Sequence, residues 1–446
     1  MGTLMMLPKR AHTLPETDGA PAQPARLGLL RLFGAPSELT RHQVHVLRVV
    51  GVATLFANYG VGLMGLALPQ IQAGLGVAEA DLGGVTAFVQ LGVIPAIFLS
   101  VMADYVGRRR LLLVTIIGFS LCGGCTGLVR DAHEFVGLQL LARVFIAAEA
   151  MLAIVVIAEE FDAATRGWGI GMVSAFGALG HGLASLLFSQ INVLPAGWRA
   201  LFVLGILPLP LLPWFRRALS ETRRFEVHRE SQVAMTGLRE WLTPLRNVAR
   251  MYPGRMLALS AALLPASLVF ETAMMFQAKF LQQTHHYSPG NVALLYLTVG
   301  ALVPAGNVAG GKLGDRFGRK RVMIVGLLLN AVAIGLFYNA PGMWVPAAWG
   351  LMVVSATMIM VLFAALGSEL FPTSYRSTAS GVRAVVATLG AALGLWIEGV
   401  LYGLAGGHAA AITWMLAVAP IAPLVIAFFL PETASQELED VSPERQ

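Results

Sequence analysis

Twelve apolar runs of roughly 18 to 28 residues make up most of this chain, at about 45–70, 83–102, 111–129, 136–158, 168–190, 199–215, 257–282, 291–312, 322–339, 344–368, 379–404 and 411–430. A run of that length crosses about 30 Å of hydrocarbon as a helix. The remaining composition agrees: of 446 residues, 56% are hydrophobic and 13% charged, with a mean hydropathy of +0.70. Soluble globular proteins carry about 25% charge. The expected fold is therefore an all-α integral membrane protein of twelve transmembrane helices, in which 48 glycines allow helices to approach closely.

Three short motifs recur at a constant offset. Asp104-Tyr-Val-Gly107-Arg-Arg-Arg110 returns as Asp315-Arg-Phe-Gly318-Arg-Lys-Arg321, a shift of 211. Glu159-x-Phe161-x4-Arg166-x4-Gly171 returns as Glu369-x-Phe371-x4-Arg376-x4-Gly381, a shift of 210, and Glu221-Thr222 as Glu432-Thr433, a shift of 211. The chain thus reads as two pseudo-symmetric six-helix halves, and a duplicated membrane unit usually moves something across a bilayer. The expected division is a disordered tail at 1–42, a first bundle at 43–215, a basic central loop with an amphipathic helix at 216–255, a second bundle at 256–430 and a tail at 431–446.

Orientation follows from Lys and Arg. Arg130 and Arg199 are assigned to loops on one side, and Arg143 and Lys279 to the interior of spans; the rest are assigned to the two tails, the start of the first helix and the even-numbered loops. The positive-inside rule places both termini and the central loop in the cytoplasm of a cell membrane, the inner membrane if the source is bacterial. The net charge of +6 then reflects topology and contact with anionic lipid, not nucleic-acid binding. Cys122 and Cys125 form a CxxC inside the third span with no ligand or thiolate-stabilising charge nearby, so they read as packing residues. No phosphate-binding glycine loop follows the P-loop pattern. Neither an enzyme nor a cofactor nor a metal is expected.

Each Asp-x-x-Gly-Arg segment is a tight turn between antiparallel helices, with glycine permitting the turn and Asp able to cap a helix or pair with Arg. Glu159 with Arg166 and Glu369 with Arg376 flank the equivalent turns two helices later, and Glu221 and Glu432 end the sixth and twelfth spans. Matched acids and bases on one face could latch the two halves together there and part when they rock.

At these residues the sequence resembles the major facilitator superfamily over about 43–435. Gly311-Lys-Leu-Gly-Asp315-Arg-Phe-Gly318-Arg319-Lys320 matches the family's loop 8–9 signature, while the loop 2–3 copy has Ser100 for the leading glycine and Tyr105 for the basic residue after Asp. Glu369-Leu-Phe-Pro-Thr-Ser-Tyr-Arg376, Pro431-Glu432-Thr433 and Gly197-Trp198-Arg199 are similar to the sugar-porter and organic-acid-symporter side of the superfamily. The resemblance implies alternating access around a central site. It also implies that Asp104, Arg108, Asp315, Arg319, Glu159, Arg166, Glu369, Arg376, Glu221 and Glu432 are gating residues, not solute ligands.

Solute chemistry is then expected near the bilayer midplane. The middles of the spans supply Asn58, Tyr59, Gln90, Arg143, Glu149, His181 and Glu271, with Glu398 lying about 10 Å from its helix midpoint at 1.5 Å per residue. Ionisable groups at this depth cost about 2.5–3.5 kcal/mol each. The expected substrate-binding residues are Arg143, Asn58, Tyr59, Gln90, His181 and Glu271; the expected proton-coupling residues are Glu149, Glu271 and Glu398. A static buried ion pair is the structural alternative for Arg143 and the acids, a hydrogen-bonded core residue for His181, and interhelical glue for Asn58 and Gln90. Sugar porters carry a Tyr-Asp step in span 1, where this chain has Tyr59-Gly60, and a sugar-contacting Gln where His181 stands, so a hexose site is not expected. The expectation is a monomeric, proton-coupled transporter of a small polar solute, an organic acid by preference. A drug-efflux antiporter and a non-transporting solute sensor are its rivals.

Overall fold

The computed structural model describes residues 34–36, 39–162, 165–218, 243–372 and 375–434. Eleven helices among them are long and apolar enough to cross a membrane. These are spans 1 to 5 (Arg41–Leu66, Glu79–Ala103, Arg108–Thr126, Ala132–Glu160 and Arg166–Phe188) and spans 7 to 12 (Pro253–Gln283, Pro289–Phe317, Arg319–Asn339, Gly342–Glu369, Thr378–Ala405 and His408–Phe429). Span 6 is two short helices, Trp198–Leu204 and Leu212–Ala218, joined by turns. Pro208 and Pro210 explain the break, because each lacks an N–H and its ring collides with the preceding turn. The twelve-helix architecture holds, with the sixth crossing broken.

Local chemistry sets the ends. Span 1 starts four residues earlier than expected because Thr40 and Gln43 form a capping box: Gln43 N donates to Thr40 Oγ1 at 3.1 Å and Thr40 N to Gln43 Oε1 at 3.0 Å. Spans 3 and 9 both start from a glycine in positive φ, Gly107 at 107° and Gly318 at 96°. That geometry is why both Asp-x-x-Gly-Arg turns carry glycine.

The face bearing the start of span 1 and the end of span 12 is termed the terminal face, and the opposite one the far face. His42 at the start of span 1 meets Glu160 at the end of span 4 at 2.9 Å. At the other end, Gln70 beyond span 1 donates to Gln282 of span 7 at 2.7 Å.

Within each half the closest helix pair meets at glycine. A Cβ on Gly180 of span 5 would collide with the Leu55 carbonyl of span 1, and one on Gly390 of span 11 would lie 2.7 Å from the Leu264 carbonyl of span 7. The two contacts are related by the same offset of about 210 as the sequence motifs. The halves touch along spans 2 and 11, 5 and 8, and 1 and 7. Span 11 packs closely on the first part of span 2 (Leu82–Gln90) and only lightly on the second (Val93–Val106). The halves are therefore closed together toward the far face and part toward the terminal face.

Replacing Gly180 by Leu should force spans 1 and 5 apart, because the obstruction is backbone. The expected loss is about 1–3 kcal/mol, the usual cost of overpacking. It should register as a lowered melting temperature of detergent-solubilised protein, whereas Gly171→Ala, with nothing within 4 Å of the added methyl, should melt like the parent.

Candidate functional site

Span 5 places one residue in the opening between the halves by rotation alone. Gly180 packs on span 1 and Gly182 faces Leu297 of span 8 at 3.5 Å, which leaves His181 between them. His181 is exposed although it lies deep among the helices, and its Nδ1 is 3.3 Å from the Gly177 carbonyl of the preceding turn. Arg143 of span 4 is held beside a break in span 2, where a Cβ on Gly92 would lie 2.6 Å from the Leu140 carbonyl and 3.0 Å from the Arg143 Cβ. Arg143 as a whole is half-buried, and its buried Nε has no hydrogen-bond partner among the described residues. Arg143 interacts electrostatically with Glu271 of span 7, in the opposite half, and with His181. Glu271 is likewise half-buried. One cation, one acid and one imidazole from three helices and both halves thus converge at mid-depth.

The other central candidates make contacts of their own. Glu149 lies six residues beyond Arg143, about 240° around the same helix, and so faces span 1. There it is fully buried, with Oε1 accepting from the Thr54 hydroxyl at 2.9 Å and Oε2 unpartnered among the described residues. Tyr59 is 1% exposed and donates its hydroxyl to the Leu201 carbonyl at 2.7 Å. Asn58 donates to the Thr54 carbonyl at 2.9 Å and packs against Gly177 and Gly180. Gln90 is buried where the first part of span 2 ends. Tyr59 thus ties span 1 to span 6, and Asn58 lies in the contact of span 1 with span 5.

Glu398 belongs to a different place. At the far face its Oε1 is 2.5 Å from His408 Nδ1, and His408 Nε2 is 2.8 Å from Glu79 Oε2. Lys279 Nζ is 2.9 Å from the same Glu79 oxygen and also donates to Gln72. Gln282 of span 7 adds a bond to the Leu66 carbonyl at 3.0 Å. Gln72 and Glu79 come from the first half, Lys279, Glu398 and His408 from the second, so this network fastens the halves together. Sequence reading missed Gln72, Glu79 and His408 because they fall in short connections outside the predicted runs, where a charge reads as solvated.

The terminal-face motifs pair within their own halves. Arg108 lies 3.1 Å from Glu159, and Arg319 lies 3.1 Å from Asp315 and in contact with Glu369. Glu369 also accepts from the Thr433 hydroxyl at 2.7 Å. Glu432 caps span 9, accepting from Arg319 N at 2.8 Å and Lys320 N at 3.2 Å, as well as from Thr433 N at 3.0 Å. The Nε atoms of Arg166 and Arg376 are buried without a hydrogen-bond partner among the described residues. Asp104 sits in the last turn of span 2's second helix, and Glu221 lies outside the described residues. Each pair named here joins helices of one half. Arg383, assigned from sequence to the basic loops, instead sits inside span 11 beside Gly367. Among the described residues no group of three or more His, Cys, Asp or Glu could hold a metal ion.

Glu432→Ala should remove the cap of span 9 at a cost of about 0.5–2 kcal/mol, read as a drop in melting temperature. Glu432→Gln, which keeps an acceptor oxygen, should lose less.

Comparison with known proteins places this geometry. The family profile described as "Major Facilitator Superfamily" matches residues 50–306 and 257–445. The "Probable 4-methylmuconolactone transporter" of Cupriavidus pinatubonensis is 26% identical over 399 residues, covering 86% of this chain and 89% of that protein. The "Benzoate transport protein" of Acinetobacter baylyi is 22% identical, covering 91% and 93%. Among solved structures, the inward open conformation of the xylose transporter XylE from E. coli aligns with a TM-score of 0.71 at 18% identity, covering 90% of this chain and 99% of that one.

Proposed function

The chain belongs to the Major Facilitator Superfamily and is a multi-pass membrane transporter, not an enzyme, and from that premise we propose that it carries a small organic acid by alternating access, coupled to protons. The observation that carries this reading is Arg143: a central cation with an unpartnered Nε, facing a carboxyl on the other half. A guanidinium offers parallel N–H groups that match a carboxylate. A solute carboxylate arriving there meets the charge of Glu271, and a proton on Glu271 removes that repulsion, so anion and proton enter together. His181 supplies a hydrogen-bonding group beside them. Glu149 is a second proton acceptor, whose bond to Thr54 ties its protonation to the grip between spans 4 and 1. The names of the benzoate and 4-methylmuconolactone relatives support a small organic acid. The basic loops support a cytoplasmic terminal face, which makes this conformation open to the cytoplasm, with the terminal-face motifs acting as the gate that closes there. The protein acts as a monomer in the cell membrane, its two halves joined by the basic central loop.

Radiolabelled benzoate and a panel of aliphatic carboxylates, supplied to proteoliposomes under an imposed pH gradient, test the reading. Uptake should accelerate when the interior is alkaline. Arg143→Gln should lower it at least about tenfold, since a charge-assisted hydrogen bond is worth about 1.5–3 kcal/mol. Glu271→Gln or Glu149→Gln should blunt the dependence on the gradient. If both keep it in full, coupling does not run through these carboxylates. Efflux of a cationic dye without carboxylate uptake would turn the reading to drug export, and binding without flux to a solute sensor.

A further inference from the structure

Four ionisable side chains close the far face, and their donor and acceptor atoms count protons. Glu79, the first residue of span 2, comes from one half; Lys279, Glu398 and His408, of spans 7, 11 and 12, come from the other. Glu398 is 0% exposed and Lys279 2%, while His408 is 14% exposed. The Phe276 ring stacks on the imidazole at 4.5 Å and the Tyr402 ring meets it at 4.5 Å. Those two rings hold the imidazole so that Nδ1 faces Glu398 and Nε2 faces Glu79. Among the described residues Tyr338 of span 9 is a further titratable neighbour of Glu398, and its hydroxyl is already donated to the Ala273 carbonyl at 2.5 Å.

A neutral imidazole has one N–H and one lone pair. Between two ionised carboxylates it would aim that lone pair at a carboxylate oxygen, at 2.5 or 2.8 Å. The charge count leads to the same result. Two carboxylates, Glu398 at 0% and Glu79 at 36% exposure, face one ammonium, which leaves the cluster one negative charge in excess. One further proton, on His408 or shared with Glu398, satisfies the hydrogen bonds and the charge together. When the far face opens, Glu79 leaves with its own half; Lys279 and Glu398 then balance each other, and a neutral imidazole suffices.

We propose that the closed far face is a proton-binding site, holding on His408 and Glu398 one proton that opening of that face releases. The sign follows from linkage. The closed state binds one more proton than the open state, so its advantage is complete at low pH and fades as pH rises through the value at which the closed site gives the proton up. The closed-to-open ratio changes by up to about tenfold per pH unit in that window. This inference rests on alternating access, but not on the nature of the solute or on coupling through Glu149 and Glu271.

The test is a distance measurement by pulsed electron resonance on the full chain in lipid nanodiscs, without solute. Spin labels replace Val193 and Met343, which are 75% and 80% exposed in far-face connections of the two halves. Cys122 and Cys125 are changed to Ala in the background. The short-distance population should shrink as pH is raised from about 5 to about 8, the range in which histidine ordinarily titrates. Glu398→Gln balances the cluster without the extra proton, so it should stay closed and lose the pH response. A distance distribution constant over this range, or a response surviving in Glu398→Gln, overturns the proposal. Carboxylate uptake is no part of the readout, so failure of the solute reading and failure of this one are separate results.

Discussion

Spans 1 and 5 touch backbone to backbone, and the direction of the central side chains follows from that contact. Between helices in lipid there is little hydrophobic drive, so association relies on close van der Waals approach at small residues. Gly180 against the Leu55 carbonyl fixes the rotation of span 5. With about 100° per residue, that rotation sends Gly182 to span 8 and leaves His181 facing the opening. Gly92 does the same service for Arg143, since its lack of a side chain lets span 2 lie against the Arg143 Cβ.

Charge is distributed by which motion it resists. At the terminal face Arg108–Glu159 and Arg319–Glu369 join helices within a half, so they survive when the halves rock as rigid bodies. At the far face Lys279–Glu79 and His408–Glu79 join the halves, so any opening there must break them. Lys279 is nearly inaccessible and would lose Glu79, its paired carboxylate, on opening. Removing one member of a buried pair costs far more than the pair is worth in place, so the far-face cluster is a strong determinant of which face is open.

Much of this was legible in the sequence, for identifiable reasons. Span existence follows from apolar run length, and the tight turns at Gly107 and Gly318 from glycine beside basic residues. The shared depth of Arg143, His181 and Glu271 was legible from their positions in separate spans. What failed to appear did so for physical reasons as well. Pro208 and Pro210 break span 6 without lowering its hydropathy enough to mark it. Tyr59 shares the depth of the site but is directed to the Leu201 carbonyl, and depth can be read from a sequence where rotation cannot. Glu79 and His408 lie three residues or so beyond the predicted runs, so only the folded chain reveals that they meet Lys279 and Glu398.

The duplication itself separates scaffold from site. Gly180 and Gly390, each against a span carbonyl, repeat at the offset of the motifs, as do Gly107 and Gly318 in positive φ. The charged centre does not repeat. Counted at 210 or 211, Arg143 corresponds to Val353 or Val354, Glu149 to Ile359 or Met360, and Glu271 to Val61 or Gly60. Val353 and Ile359 are buried apolar core, at 8% and 7% exposure. One half therefore contributes the central cation and the other the acid that faces it, and neither half is balanced there alone. Two like halves would offer a solute the same charge from both sides. Unlike halves make the attraction across the cleft depend on what stands between Arg143 and Glu271, which is the condition for a bound anion and a proton to alter how the halves meet.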